Sequence, residues 1–188
     1  MRIQESSVLT LDHSKDAIDI KIDPGIEVSI LEVGHHKEVQ LDIGENSIVQ
    51  YISVFSGKGE STKQANLQKN AACHWRTAVM GGTNSHDVST VHSGDGSSSD
   101  HMGIFLGKEQ DRFAMNYWSE HTGKNTSGHI KIHGALFDTA YADFQGNIKI
   151  AQSGIDTDGS LTEETLLLGE HSRSDSIPQL EIDTNAVQ

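Results

Sequence analysis

The feature that most constrains this chain is an internal repeat. Residues 128–145, "GHIKIHGALFDTAYADFQ", laid over residues 146–163, "GNIKIAQSGIDTDGSLTE", agree at Gly128/Gly146, Ile130/Ile148, Lys131/Lys149, Ile132/Ile150, Asp138/Asp156 and Thr139/Thr157. A further step of 18 brings Leu166 and Leu168 onto the isoleucine columns, and a step back of 17 brings Phe113 and Met115 there. A chain that returns the same inward side chain at a fixed interval suits a coil whose turns stack like on like. Stacked turns pair as parallel strands about 4.8 Å apart, and parallel crossovers are right-handed. The expectation is an all-β, right-handed parallel β-helix, a solenoid with rungs of about 18 residues. It places Ile130, Ile148 and Leu166 in one inward column and Ile132, Ile150 and Leu168 in a second, with Lys131 above Lys149 in solvent.

The rest of the chain reads as strand. "AIDIKI" (17–22), "IEVSILEV" (26–33), "EVQLDI" (38–43) and "SIVQYISVF" (47–55) alternate apolar with polar residues, and "DPG" (23–25) and "GEN" (44–46) are turns between them. The nearest approach to a helix, "STKQANLQKNAACHW" (61–75), is too sparse in apolar positions for a buried stripe. A sandwich of antiparallel sheets would also use short alternating strands; the repeat favours the coil. Residues 1–188 are expected to form one β-helix domain, with 1–16 as an N-terminal lead-in.

Composition narrows the function classes. The formal net charge of −13 opposes a nucleic-acid or acidic-membrane surface. Aromatic residues make up 5%, so small and β-branched aliphatics are expected to fill the core. One cysteine, Cys73, excludes an internal disulfide and a multi-thiolate metal site within one chain. The N-terminus has no apolar run of signal-peptide length and no segment nears the roughly 20 apolar residues of a membrane span, so a cytoplasmic protein is expected.

Four groups of side chains were weighed for chemistry. His129 and His133 share an outward face with Lys131, but they sit about 13 Å apart along a strand, too far for one ion. "HDVSTVHSGDGSSSDH" (86–101) offers His86, Asp87, His92, Asp95, Asp100 and His101 to a divalent ion, although a flexible turn explains it more simply. Cys73 and His74, adjacent in a strand, point to opposite faces, which suits a buried structural thiol better than a nucleophile and its base. Asp138 and Asp156, if one rung apart, would form a carboxylate pair about 5 Å across, as in β-helix carbohydrate-active enzymes; both also suit turns. No catalytic residue and no metal ligand is assigned.

Three stretches together resemble a family. "IDPGIEVSILEV" followed by "EVQLDIGENSIVQYISV" is similar to the opening rungs of the SufB/SufD proteins of iron–sulfur cluster assembly. "GHIKIHG" and "NIKIAQSG" match that family's middle rungs, and "TLLLGEHSRSDSIPQLEI" (165–182) its closing rungs. The resemblance implies a β-helix core that pairs with itself or a sister subunit, binds a SufC-type ABC ATPase, and transiently holds a nascent cluster for transfer. It also implies a Ser-His-Gly-Ala-Thr-like segment and a C-terminal helical ATPase-docking domain, and the sequence reaches Gln188 before either. Counting back from Pro178 puts Glu163 where the SufB branch carries a cysteine, so that cysteine's chemistry does not carry over. The expected role is a non-catalytic scaffold or interaction subunit, with no cluster held by the isolated chain. A β-helix carbohydrate-active enzyme and a structural solenoid module without cluster chemistry are the alternatives. Pairing, as a homodimer or with a sister subunit, is expected through Leu180, Ile182 and Val187 on the last strand.

Overall fold

The computed structural model describes residues 1–11 and 16–186. Its strands are β1 (Arg2–Ile3), β2 (Ser7–Leu11), β3 (Ala17–Ile22), β4 (Glu27–Val33), β5 (Glu38–Ile43), β6 (Ile48–Ser56), β7 (Gly59–Leu67), β8 (Ala72–Met80), β9 (Thr83–His92), β10 (Ser98–Gly107), β11 (Arg112–His121), β12 (Ser127–Leu136), β13 (Tyr141–Ile150), β14 (Asp158–Leu167) and β15 (Arg173–Ile182). Among the described residues there is no helix, and therefore none long and apolar enough to cross a membrane. Odd-numbered strands form one sheet and even-numbered strands the other, every pairing parallel. The chain thus lays one strand in each sheet per turn, a right-handed parallel β-helix as the sequence led us to expect. Residues 2–3 and 7–11, expected as lead-in, already pair within the coil.

The rung length differs from expectation. Ser7 pairs with Val28, Ala72 with Ser98, and Ser127 with Asp158, so a full turn grows from 21 to 26 to 31 residues. The coil widens as its strands lengthen from 5 residues in β2 to 10 in β12. The 18-residue interval is corner to corner, half a turn. Ile130 lies between His101 and Leu161 in one sheet, whereas Ile148 lies between Ser119 and Leu180 in the other. Leu166 pairs with Ala135 and points outward, Lys131 neighbours Met102 and Thr162, and Lys149 neighbours Glu120 and Glu181. The expected columns therefore do not form. A half-turn repeat aligns residues across the coil, because successive strands belong to opposite sheets.

The corners show the true period. Gly25, Asn46, Asn70, Gly96, Asn125 and Asp156 all have positive φ, from 53° to 73°. Each N–H reaches the next rung: Asn46 to the Lys69 carbonyl, Asn70 to Asp95, Gly96 to Lys124 and Asn125 to Ile155. Asn, Asp and Gly tolerate the left-handed region, so they turn this corner at little cost. The residues that follow five of them, Ser47, Ala71, Ser97, Thr126 and Thr157, are small and buried.

Inside, side chains stack along the axis. Ile30, Tyr51, Trp75, His101 and Ile130 form one column, with Tyr51 and Trp75 rings 5.1 Å apart. Seven of the ten aromatic residues are buried, so the scarce aromatics are concentrated in the core rather than spared from it. Each buried large side chain contributes about 1.5–3 kcal/mol of transfer free energy.

Candidate functional site

The early rungs enclose a charged cluster. Strand alternation turns Glu32 of β4 and Lys63 of β7 into the coil, where both are buried and Lys63 Nζ lies 2.8 Å from Glu32 Oε2. Tyr51 Oη–H donates to Glu32 Oε2 at 2.8 Å and the His36 backbone N–H to Glu32 Oε1 at 3.0 Å. The Lys63 ammonium also sits over the Tyr51 and Phe55 rings. Burial lowers the lysine's pKa, opposed by the Glu32 carboxylate. Lys63, the Tyr51 hydroxyl and the His36 backbone thus converge on one buried carboxylate, which offsets part of the cost of burying it.

The middle rungs carry histidine inside. His92 and His121 occupy successive positions of one inward column and stack in parallel. Ser97 and Ser99 hydroxyls partner the His92 ring, and Thr126 and Ser119 hydroxyls the His121 ring. His86 contacts Ser61 and stacks on Phe55. Burial holds His86, His92 and His101 down to about 3 and His121 to about 4, so all four are neutral near pH 7.

These positions change the reading of residues 86–101. His86, His92 and His101 face the interior on β9 and β10, and only residues 93–97 form the turn. Their signal was present as alternation, since His86, Val88, Thr90 and His92 fall on one strand face. Cys73 is wholly buried, next to Val49 and Ser99, and His74 points outward from it. Burial pushes the thiol's pKa up, so it stays protonated and unreactive. His129 and His133 are on the outer face, beside Ser160 at 2.8 Å and Glu164 at 3.2 Å respectively. Asp138 and Asp156 are both turn residues at different corners, with φ of 52° and 57°, and form no carboxylate pair. Asp138 instead accepts the Glu109 N–H at 2.9 Å.

The terminal rung is the most exposed apolar part of the coil's interior columns. Leu180 continues the Ile148 column and Ile182 the Ile150 column. Ile148 and Ile150 are 3% and 2% exposed, whereas Leu180 and Ile182 are 60% and 42% exposed. On the facing sheet Leu161 follows Ile130 and Glu163 follows Ile132, with the Thr165 hydroxyl on the Glu163 carboxylate. Pro178 pairs with Gly146, a placement proline tolerates because β15 is an edge strand. Among the described residues no strand pairs with the outer edges of β14 and β15. Val187, the third expected interface residue, lies outside the described residues. Exposed strand edges above an apolar floor are suited to receiving another polypeptide segment.

The described residues thus form a parallel β-helix whose interior is filled by its own side chains. The family model for "SUF system FeS cluster assembly, SufBD core domain" matches residues 11–188. The iron–sulfur cluster assembly protein SufD of Bacillus subtilis (strain 168) is 26% identical over 151 residues, covering 77% of this chain and 34% of that protein. The SufD protein of Escherichia coli (strain K12) is 30% identical over 118 residues, covering 62% of this chain and 28% of that protein. The chain therefore spans about a third of the length of these curated relatives. It belongs to the SufBD core family.

Proposed function

We propose that this chain is a SufB/SufD-type core of the cytoplasmic iron–sulfur assembly machinery, acting by binding and not by catalysis. The observation that carries the reading is the SufBD core match over residues 11–188 of a two-sheet parallel coil, and Leu180 and Ile182, which extend buried columns, are the surface proposed for pairing. A second copy or a sister subunit, joined across β14 and β15, buries them. With a second copy the contact is a two-fold interface in which this region meets itself. Family membership supports the pathway.

The isolated chain holds no cluster in this reading. Its only thiol is sealed between Val49 and Ser99, and the family resemblance puts Glu163 where the SufB branch carries a cysteine. A cluster is cargo of the whole complex, which in the family also includes the ATPase. Sedimentation of the parent chain and of a Leu180→Lys/Ile182→Lys variant tests the pairing. The parent should sediment as a dimer at high micromolar concentration and the variant as a monomer or aggregate. A well-behaved monomeric parent, also monomeric with a SufB-type partner present, contradicts the proposal.

A further inference from the structure

The two outer sheet faces differ in chemistry. On the odd-numbered sheet the outward column is Gln40, Gln64, Ser89, Trp118, Asn147 and Gln179, mostly polar. On the even-numbered sheet the matching outward column is Val33, Val54, Ala78 and Ile104, apolar across four adjacent strands. Val33 and Ile104 are each 52% exposed. Leu31 and Ile52 extend the apolar surface on one side at the early rungs. Met80 and Leu106 extend it on the other side at the later rungs, where they border a groove of about 520 Å³ with Phe137.

The result is a diagonal stripe, narrow and long. The Met80–Leu106 column continues through Ala135 of β12 to Leu166 of β14, while the Val33–Ile104 column gives way there to His133 and Glu164. With strands about 4.8 Å apart and alternate residues about 6.8 Å apart, the diagonal from β4 to β14 is roughly 24 Å long and about 12 Å wide. Its footprint of roughly 300 Å² is well short of the about 800 Å² per partner that a stable folded interface buries. A second copy of this chain laid face to face would leave most of that area polar. An α-helix is about 10 Å wide and rises 1.5 Å per residue, so about 16 residues match the stripe in both dimensions.

We infer that this outer face is a docking groove for an amphipathic α-helix of a partner protein, about four turns long. Its apolar i, i+3, i+4 and i+7 side chains lie along the diagonal from Val54 and Ala78 to Leu106 and Leu166. Charge sets the flank. Arg76 beside the stripe is tied to Asp100 at 2.6 Å and Lys108 at the groove lies 3.9 Å from Glu109, whereas Lys131 at the stripe's edge has no ion pair among the described residues. A carboxylate on the helix flank facing Lys131 completes the fit.

The test uses the full chain and a synthetic 16-residue helical peptide (about four turns) with leucines at that spacing and glutamates on one flank. Fluorescence anisotropy should show saturable binding that weakens about tenfold or more in Ile104→Glu and in Val33→Glu. Both side chains are half exposed, so two variants guard against a folding defect, read by circular dichroism. Trp118→Ala, on the other sheet's outer face, should bind as the parent does. Absence of parent binding, or equal binding by both variants, overturns the inference. So does a self-associated parent that Ile104→Glu converts to monomer, since a second copy would then be the occupant. The Leu180→Lys/Ile182→Lys variant should still bind the peptide, which separates this groove from the terminal rung.

Discussion

The imidazoles of His92 and His121 lie face to face inside the coil, 4.2 Å between ring centroids and 6° from parallel. Each is held by two hydroxyls, and neither can gain a proton without adding a charge to a sealed column.

Stability should therefore fall with acid. Burial holds His86, His92 and His101 at about 3 and His121 at about 4, against an unfolded value of about 6.5. Between those values the unfolded chain binds more protons than the folded one, so stability rises with pH across that window. It is fully present above about pH 6.5 and declines progressively as the pH falls from there toward the folded values. Urea midpoints measured from pH 7 down to pH 4 check this. A His92→Gln variant should show a shallower decline, and a midpoint independent of pH would refute the account of the buried histidines.

Lys63→Met should be costly in a specific way. It leaves Glu32 buried without its 2.8 Å cation, a loss of about 3–5 kcal/mol in denaturant unfolding. Glu32→Gln combined with Lys63→Met should recover most of that, because neither charge is then stranded. Equal losses in the single and double variants would show that packing, not charge pairing, sets the effect.

Asn125 turns a corner at φ 53°. Asn125→Gly should leave stability nearly unchanged, whereas Asn125→Val should lose about 1–2 kcal/mol, since a β-branched side chain is strained in the left-handed region. Thermal unfolding of the two variants provides the comparison.

Much of the fold was legible from alternation alone. β3 and β5 have the boundaries their sequence pattern gives, and β4 and β6 are within a residue of theirs. What the pattern obscured was the length of a turn. The identities between residues 128–145 and 146–163 are strong because Asp138 and Asp156 end strands of equal build, but those strands face each other across the coil. The rung period is written more faintly, in Asn46-Ser47, Asn70-Ala71, Gly96-Ser97, Asn125-Thr126 and Asp156-Thr157, at intervals that lengthen as the coil widens. A fixed-lag comparison cannot align intervals that grow. The inward-facing histidines were hidden differently, since polar residues near a glycine-rich turn suggest a loop until alternation assigns them to a face. Cys73 was readable, because its neighbours alternate cleanly.

The thiol provides a further check on the core. Cys73 is completely buried, so a thiol reagent should leave the native protein unlabelled and modify it stoichiometrically only in denaturant. Rapid native labelling would mean that the coil opens around β8.

Hydrogen exchange of β14 and β15 tests most directly the proposal that the terminal rung is a subunit interface. At high micromolar concentration the amides of residues 173–182 should be protected, and on dilution they should exchange much faster while β8 and β10 stay protected. Exchange of β15 that is rapid at every concentration, and unchanged when a SufB-type partner is added, would contradict the assignment of Leu180 and Ile182 to an interface.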